Sequence, residues 1–411
     1  MPTQSSSSMS TNTTPRSYDL DWLRVLAFCI LVPFHAGMMF NTWGFHIKNV
    51  DTTRLLDHIM IFQGQWRLSM LFLISGAGVF FALRKRTVGE FRRERWKRLG
   101  IPLLFGMVFI IPPQIWVERA LKGQTALGYV EWWLRDAFTQ GGYSETSATG
   151  NISWHHLWFI LYILVYSLLF IGLLAKLRTD SAQEKIRRTS TWLSKPFLFL
   201  LPAVVFGIME QFKTYFPVTH NLTWDWYNHA VSILMFSCGF VLASAPELRE
   251  MLERNRWNAL AVGLVCTVVC YIFYWIPEDN FTTFQLVPYR FLKALNYWAW
   301  ICAFLGWARH SLQFTNRFLR YANEAVLPIY ILHQSITLVL GYYLLPLQMG
   351  LWAKFALATM GTYVIAVGLY EIIRRVGLLR PLFGLKPLEK RLAEPFPIEQ
   401  ERDAEAVNTA R

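Results

Sequence analysis

The residues best placed to do chemistry lie in one apolar stretch, Asp21–Met39, DWLRVLAFCILVPFHAGMM. Its body carries two costly side chains, Arg24 and His35. Eleven residues of helix amount to about 1100°, three turns plus about 20°, so both project from one face about 16 Å apart along the axis. An ionisable group inside a membrane span is expensive and marks a functional site. An imidazole can take a proton from a hydroxyl, and a guanidinium can hold an anion. Each residue also has a plainer role open to it: Arg24 can snorkel to the headgroups, and His35 can hydrogen-bond a neighbouring helix. Asp21, three residues before Arg24, can cap the helix start and pair with that arginine.

Further candidates follow in chain order. Arg67 opens the next apolar run, near the outer face, where it can hold a carboxylate or snorkel. That run ends in Ser75-Gly76, which permits close approach by a neighbouring helix or by a thin ligand chain. In FRRERWKRLGIP, Arg95 and Arg98 are neighbours on one helical face at a membrane mouth, and paired arginines grip phosphates. SWHHLWFI places His155, His156 and Trp158 near the outer interface. NEAVLPIYILHQ places Tyr330 three residues before His333, at mid-membrane. Glu210 and Glu324 are acidic residues that can partner a histidine, and the spacing does not say which.

The elements that must position these groups are membrane helices. Of 411 residues, 54% are hydrophobic and 16% charged, against about 25% charged in a soluble domain. Apolar runs of spanning length recur about ten times, over 20–40, 66–83, 100–117, 152–175, 196–212, 229–245, 257–276, 284–308, 324–346 and 350–373. The fold class is therefore all-α, a polytopic bundle of about ten transmembrane helices. Lys and Arg number 29 in the tail and alternate connections on one side, 6 on the other and 5 within spans. By the positive-inside rule both termini are cytoplasmic. The net charge of +13 then reflects topology and contact with the lipid bilayer, and no nucleic acid partner is expected. Residues 1–16 are Ser/Thr-rich and read as a disordered tail, 17–380 as the transmembrane domain, and 381–411 as a cytoplasmic tail. The first apolar segment is long enough to span and reads as a retained helix. None of the five cysteines has metal-ligand spacing, so neither a metal site nor a structural disulfide is expected. The outward connections gather Trp132, Trp133, Tyr143, Trp154, Trp224, Trp226 and Tyr227, an interfacial belt or a stacking surface for sugar rings.

Taken in order, Arg24-x10-His35, FLISG ending at Ser75-Gly76, Arg95-x-x-Arg98 and Tyr330-x-x-His333 resemble the acyltransferase-3 family of multipass membrane acyltransferases. LDWLR…PFH, Arg67 before FLISG, ERWKRLGIP, HLWF and YEIIRRVGLLRPLFGLKP resemble its succinyltransferase branch, which acts on periplasmic glucans. The resemblance implies a bacterial inner-membrane enzyme that moves an acyl group from cytoplasmic acyl-coenzyme A to a glucan hydroxyl, with no permanently bound cofactor and with succinyl-coenzyme A as donor substrate. In that scheme Arg24, Arg95 and Arg98, with Ser75 and Gly76, bind the acyl-coenzyme A. His35 is the general base, or carries the acyl group covalently. Arg67, His156 and Trp158 face the acceptor or the acyl carboxylate, and Asp21, Tyr330 and His333 support them. Acetyl transfer to another surface polysaccharide, or a glycan transporter or flippase, fits the same buried basic groups. The oligomeric state, the hydroxyl acylated and the partner of His35 stay open.

Overall fold

A computed structural model describes residues 17–139, 151–177, 179–193, 200–277 and 281–388. The N-terminal tail 1–16, Tyr143 and the part of the C-terminal tail beyond 388 lie outside the described residues. The protein is all-α, with no strand among the described residues. In chain order the helices are α1 Tyr18–Cys29, α2 Leu31–Gly37, α3 Arg54–Arg84, α4 Val88–Leu121, α5 Tyr129–Arg135, α6 Trp158–Leu169, α7 Ile171–Leu177, α8 Asp180–Leu193 and α9 Pro202–Gln211. They continue with α10 Trp226–Ser244, α11 Pro246–Arg254, α12 Arg256–Trp275, α13 Thr283–Ser311, α14 Arg317–Leu344, α15 Leu351–Arg375 and α16 Leu379–Leu382.

Each of the ten expected apolar runs holds helix. Seven of the described helices (α1 with α2, α3, α4, α10, α12, α14, α15) are long and apolar enough to cross a membrane, and α6 with α7 makes an eighth if its 62° bend lies within one span. The protein is a multi-pass membrane protein.

The local breaks follow from proline chemistry. Pro33 has no N–H to offer the carbonyl of Cys29, four residues back, so the first span is interrupted at Ile30. The freed Cys29 carbonyl instead accepts the hydroxyl of Tyr363 from α15. In α4 two π-turns, Trp96–Gly100 and Gly106–Ile110, flank Pro102 and precede Pro112 and Pro113. Asp21 lies within the first turns of a helix that begins at Tyr18 with Ser17 ahead of it. It therefore does not cap the helix, and its carboxylate meets Arg24 instead.

The tightest pairing is α3 against α10. A Cβ on Gly76 would overlap the Phe236 carbonyl, and one on Gly239 would overlap the Leu73 carbonyl. Reciprocal glycines let two backbones meet, as small residues do between membrane helices. The expected approach of a ligand chain at Gly76 is thereby corrected, because that space belongs to α10. The Ser75 hydroxyl donates to the Leu71 carbonyl of its own helix at 2.8 Å.

The connections expected on one side of the membrane do share one end of the bundle. Arg249 meets Asp19 at 2.8 Å, the Trp22 indole donates to the Phe314 carbonyl at 3.0 Å, Arg309 meets Glu253 at 3.1 Å and Arg380 meets Glu324 at 3.1 Å. The opposite end is closed by the connection 41–53. There Asp57 accepts from the Thr42 N–H (2.9 Å) and hydroxyl (2.6 Å), and the Lys48 amine donates to the Met38 carbonyl at 2.8 Å.

Candidate active site

His35 stands at the centre of a cluster of imidazoles. Its ring centroid is 5.0 Å from that of His333 on α14, and His333 is 5.3 Å from His156. His156 belongs to a single 3₁₀ turn, His155–Leu157, that leads into α6. His155 has φ +40°, a left-handed conformation uncommon outside glycine. It packs on His46 from the connection after α2, with centroids 5.2 Å apart.

Hydrogen bonds fix three of the rings. The partner of His333 Nδ1 is the Tyr330 carbonyl at 2.5 Å. A carbonyl only accepts, so Nδ1 carries the proton and Nε2 carries the lone pair. That Nε2 is buried and has no hydrogen-bond partner. His156 Nε2 donates to the Ile331 carbonyl at 3.0 Å, leaving Nδ1 to accept from Gln114 Nε2 at 3.2 Å. His46 Nδ1 donates to Glu118 at 2.6 Å, and its Nε2 faces Gln334 Nε2 at 3.5 Å. Gln334 donates to Gln114 Oε1 at 3.1 Å, and Gln114 donates to the Ser335 hydroxyl at 2.6 Å. A continuous chain of polar groups thus runs from Glu118 to His156. His35 stands apart from it, and its Nδ1 is buried without a partner.

Arg67 completes the cluster. The sequence places it at the outer start of its run, but α3 begins at Arg54, so Arg67 lies thirteen residues inside the helix. It is 3% exposed. The early part of α3 escapes a hydropathy reading because Asp57, His58, Gln63 and Gln65 interrupt it. The guanidinium sits 4.0 Å above the Phe34 ring and within electrostatic reach of both His35 and His333, while its Nε and Nη1 have no hydrogen-bond partner. A buried cation next to the lone pair of His333 Nε2 can receive a carboxylate or a developing oxyanion.

Other expected residues are placed elsewhere. Tyr330 donates its hydroxyl to the His156 carbonyl and so fixes the 3₁₀ turn. Trp158 leaves the imidazoles and stacks on His220, with centroids 4.2 Å apart, within the core. Arg24 lies at the basic end, bonded to Asp21 at 2.7 Å and to Asn323 at 2.6 Å. Arg95 lies over the Phe91 ring at 4.8 Å with its Nε unpartnered, and Arg98 is exposed, 4.0 Å from Glu94. The Arg98 carbonyl packs against Gly384, which also abuts Leu327, four residues after the Asn323 that holds Arg24. Neither acidic residue considered as a histidine partner serves as one. Glu210 pairs with Lys293 at 2.8 Å, and Glu324 with Arg380.

Sequence reasoning missed His46, Gln114, Glu118, Gln334 and Ser335. The run His333-Gln334-Ser335, three polar residues in succession inside an apolar helix, was the available signal. Among the described residues no group of three His, Cys, Asp or Glu is disposed to hold a metal ion.

Known proteins resemble this chain along most of its length. It is 24% identical to the glucans biosynthesis protein C of Escherichia coli (strain K12) over 394 residues, which covers 93% of this chain and 98% of that protein. The protein of the same name from Shigella dysenteriae serotype 1 matches to the same extent. No solved structure matches significantly. The Acyl_transf_3 family, described as an acyltransferase domain, matches residues 17–371, and the chain belongs to that family of membrane acyltransferases.

Proposed function

We propose that the protein is an inner-membrane O-acyltransferase that moves a succinyl group from cytoplasmic acyl-coenzyme A to a hydroxyl of a periplasmic glucan, with His35 as general base. The observation that carries this reading is the grouping of two unpartnered ring nitrogens, His35 Nδ1 and His333 Nε2, with the unpaired Arg67 guanidinium. The names of the relatives, glucans biosynthesis proteins, support a glucan acceptor.

In the proposed step the acceptor hydroxyl gives its proton to His35 as its oxygen attacks the thioester carbonyl carbon. The tetrahedral intermediate collapses with cleavage of the C–S bond, and the departing thiolate takes the proton from the imidazolium. An ester and free coenzyme A result, and His35 is again neutral. A low-polarity setting favours the neutral imidazole that this step needs. Arg67 receives the free carboxylate of the succinyl group. Arg24, Arg95 and Arg98 at the basic end hold the phosphates of the coenzyme, and the thin pantetheine arm reaches inward along α1 and α2.

The test is a pair of variants. His35→Ala should abolish acyl transfer and retain the thermal stabilisation that coenzyme A gives the detergent-solubilised protein. Arg24→Ala should lose most of that stabilisation. A glycan transporter would show no stabilisation by coenzyme A in the unmodified protein, and that result would overturn the enzyme reading.

A further inference from the structure

A polar cavity lies apart from the imidazoles, none of which lines it. Its volume is about 290 Å³, and it is formed between α3, α9, α10 and α13, at the lower end of the range for small-ligand sites. Gly64, Gln65 and Leu68 present α3 to it. Trp43, from the connection that closes the end opposite the arginines, forms part of its wall.

Its lining holds more hydrogen-bonding capacity than the fold uses. The Tyr297 side chain is 2% exposed, and its hydroxyl has no partner. The Oε1 of Gln65 is likewise buried and unpartnered. Buried polar groups in native structures are nearly always satisfied, so two orphans on one cavity point to a ligand that supplies what is missing. One is an amide oxygen, which can only accept, and the other a hydroxyl that can donate and accept. A ligand that meets both must itself carry donors as well as acceptors.

Charge narrows the choice further. Glu210 accepts from the Tyr227 hydroxyl at 2.5 Å and from Lys293 at 2.8 Å, and Lys213 adds a second amine to the wall. With one carboxylate and two amines among amides and hydroxyls, the wall offers both donors and acceptors, and the polar lining does not suit an acyl chain. Aromatic faces from Trp43 and Tyr227 beside amide, hydroxyl and carboxylate groups suit a neutral ring dense in hydroxyls.

We propose that this cavity is a carbohydrate subsite that holds one sugar unit of the acceptor chain away from the reacting centre, so that an adjoining unit is presented to His35. The choice of sugar as probe rests on the glycan reading of the acceptor, whereas binding itself is measured without acyl transfer.

The experiment uses the full chain in detergent and saturation-transfer difference NMR with cellobiose, maltose and gentiobiose. At least one disaccharide should bind the unmodified protein. Tyr297→Phe removes one hydroxyl and keeps the ring, and should weaken that binding roughly fivefold, the scale of one hydrogen bond. Gln65→Leu should do the same. Both variants should retain stabilisation by coenzyme A, which shows that they are folded and that the donor site is intact. Absence of binding by all three sugars, equal binding by Tyr297→Phe, or competition by inorganic phosphate would each overturn the subsite. Sugar binding that persists in a protein insensitive to coenzyme A would instead remove the acyltransferase mechanism and leave the subsite standing.

Discussion

Arg67 offers a test in which stability and activity should move in opposite directions. Its guanidinium is buried, its Nε and Nη1 make no hydrogen bond, and it lies over the face of Phe34 at 4.0 Å. An unpaired charge in a low-dielectric interior costs several kcal/mol even after relaxation. A desolvated cation–π contact returns about 2 kcal/mol. Replacing Arg67 by Met keeps the volume and the contact with Phe34 while removing the charge, so the substrate-free protein should gain about 1–3 kcal/mol. In the proposed function, the same substitution removes the group that receives the succinyl carboxylate. A charge-assisted hydrogen bond contributes about 1.5–3 kcal/mol, so kcat/KM for succinyl-coenzyme A should fall between about 10-fold and 100-fold. Acetyl-coenzyme A has no second carboxylate, and its turnover should change much less. Thermal unfolding in detergent and paired donor assays measure both quantities. A variant that melts lower than the parent would refute the assignment of an uncompensated charge. Equal loss with both donors would refute the carboxylate role and point to the oxyanion of the intermediate.

Other substitutions separate packing from chemistry. Gly239→Ala drives a methyl group into the Leu73 carbonyl and should cost about 1–3 kcal/mol, read as a lower melting temperature with the KM for donor unchanged in the protein that remains folded. Glu210→Leu leaves Lys293, whose side chain is 15% exposed, without its partner, and should destabilise by about 3–5 kcal/mol. Adding Lys293→Met should restore most of that loss, and failure to do so would show that the pair is not the source. His333→Gln keeps a group able to donate to the Tyr330 carbonyl but removes the lone pair at Nε2. If His35 is the base, kcat should fall far less than in His35→Gln, and the opposite ranking would transfer the role to His333.

Much of the site was legible in the spacing of a few residues. His35 and His333 stand out because an imidazole is rare inside an apolar helix. What spacing cannot supply is the approach of distant segments. His46 comes from a short connection, where a histidine carries no cost that marks it. Gln114 lies inside the expected run 100–117, where an uncharged amide beside two prolines carries no mark of a site. Gly76 shows the converse failure. A small residue is equally suited to a ligand and to a neighbouring backbone, and only the position of Gly239 decides for packing. The depth of Arg67 was misjudged because polar residues at the start of α3, among them Asp57 with its bonds to Thr42, hide the true length of the helix.

The helix α14 serves two regions of the molecule at once. Asn323 near its start grips Arg24, and His333 and Gln334 farther along furnish the imidazole cluster. Ten residues of helix separate Asn323 from His333, about 15 Å, with Pro328 between them. A proline leaves one backbone bond unmade and so makes the weakest joint of such a rod. The Asn323 end that holds Arg24 and the His333 end are thus joined by one continuous helix, and the proline between them removes a backbone hydrogen bond from that connection.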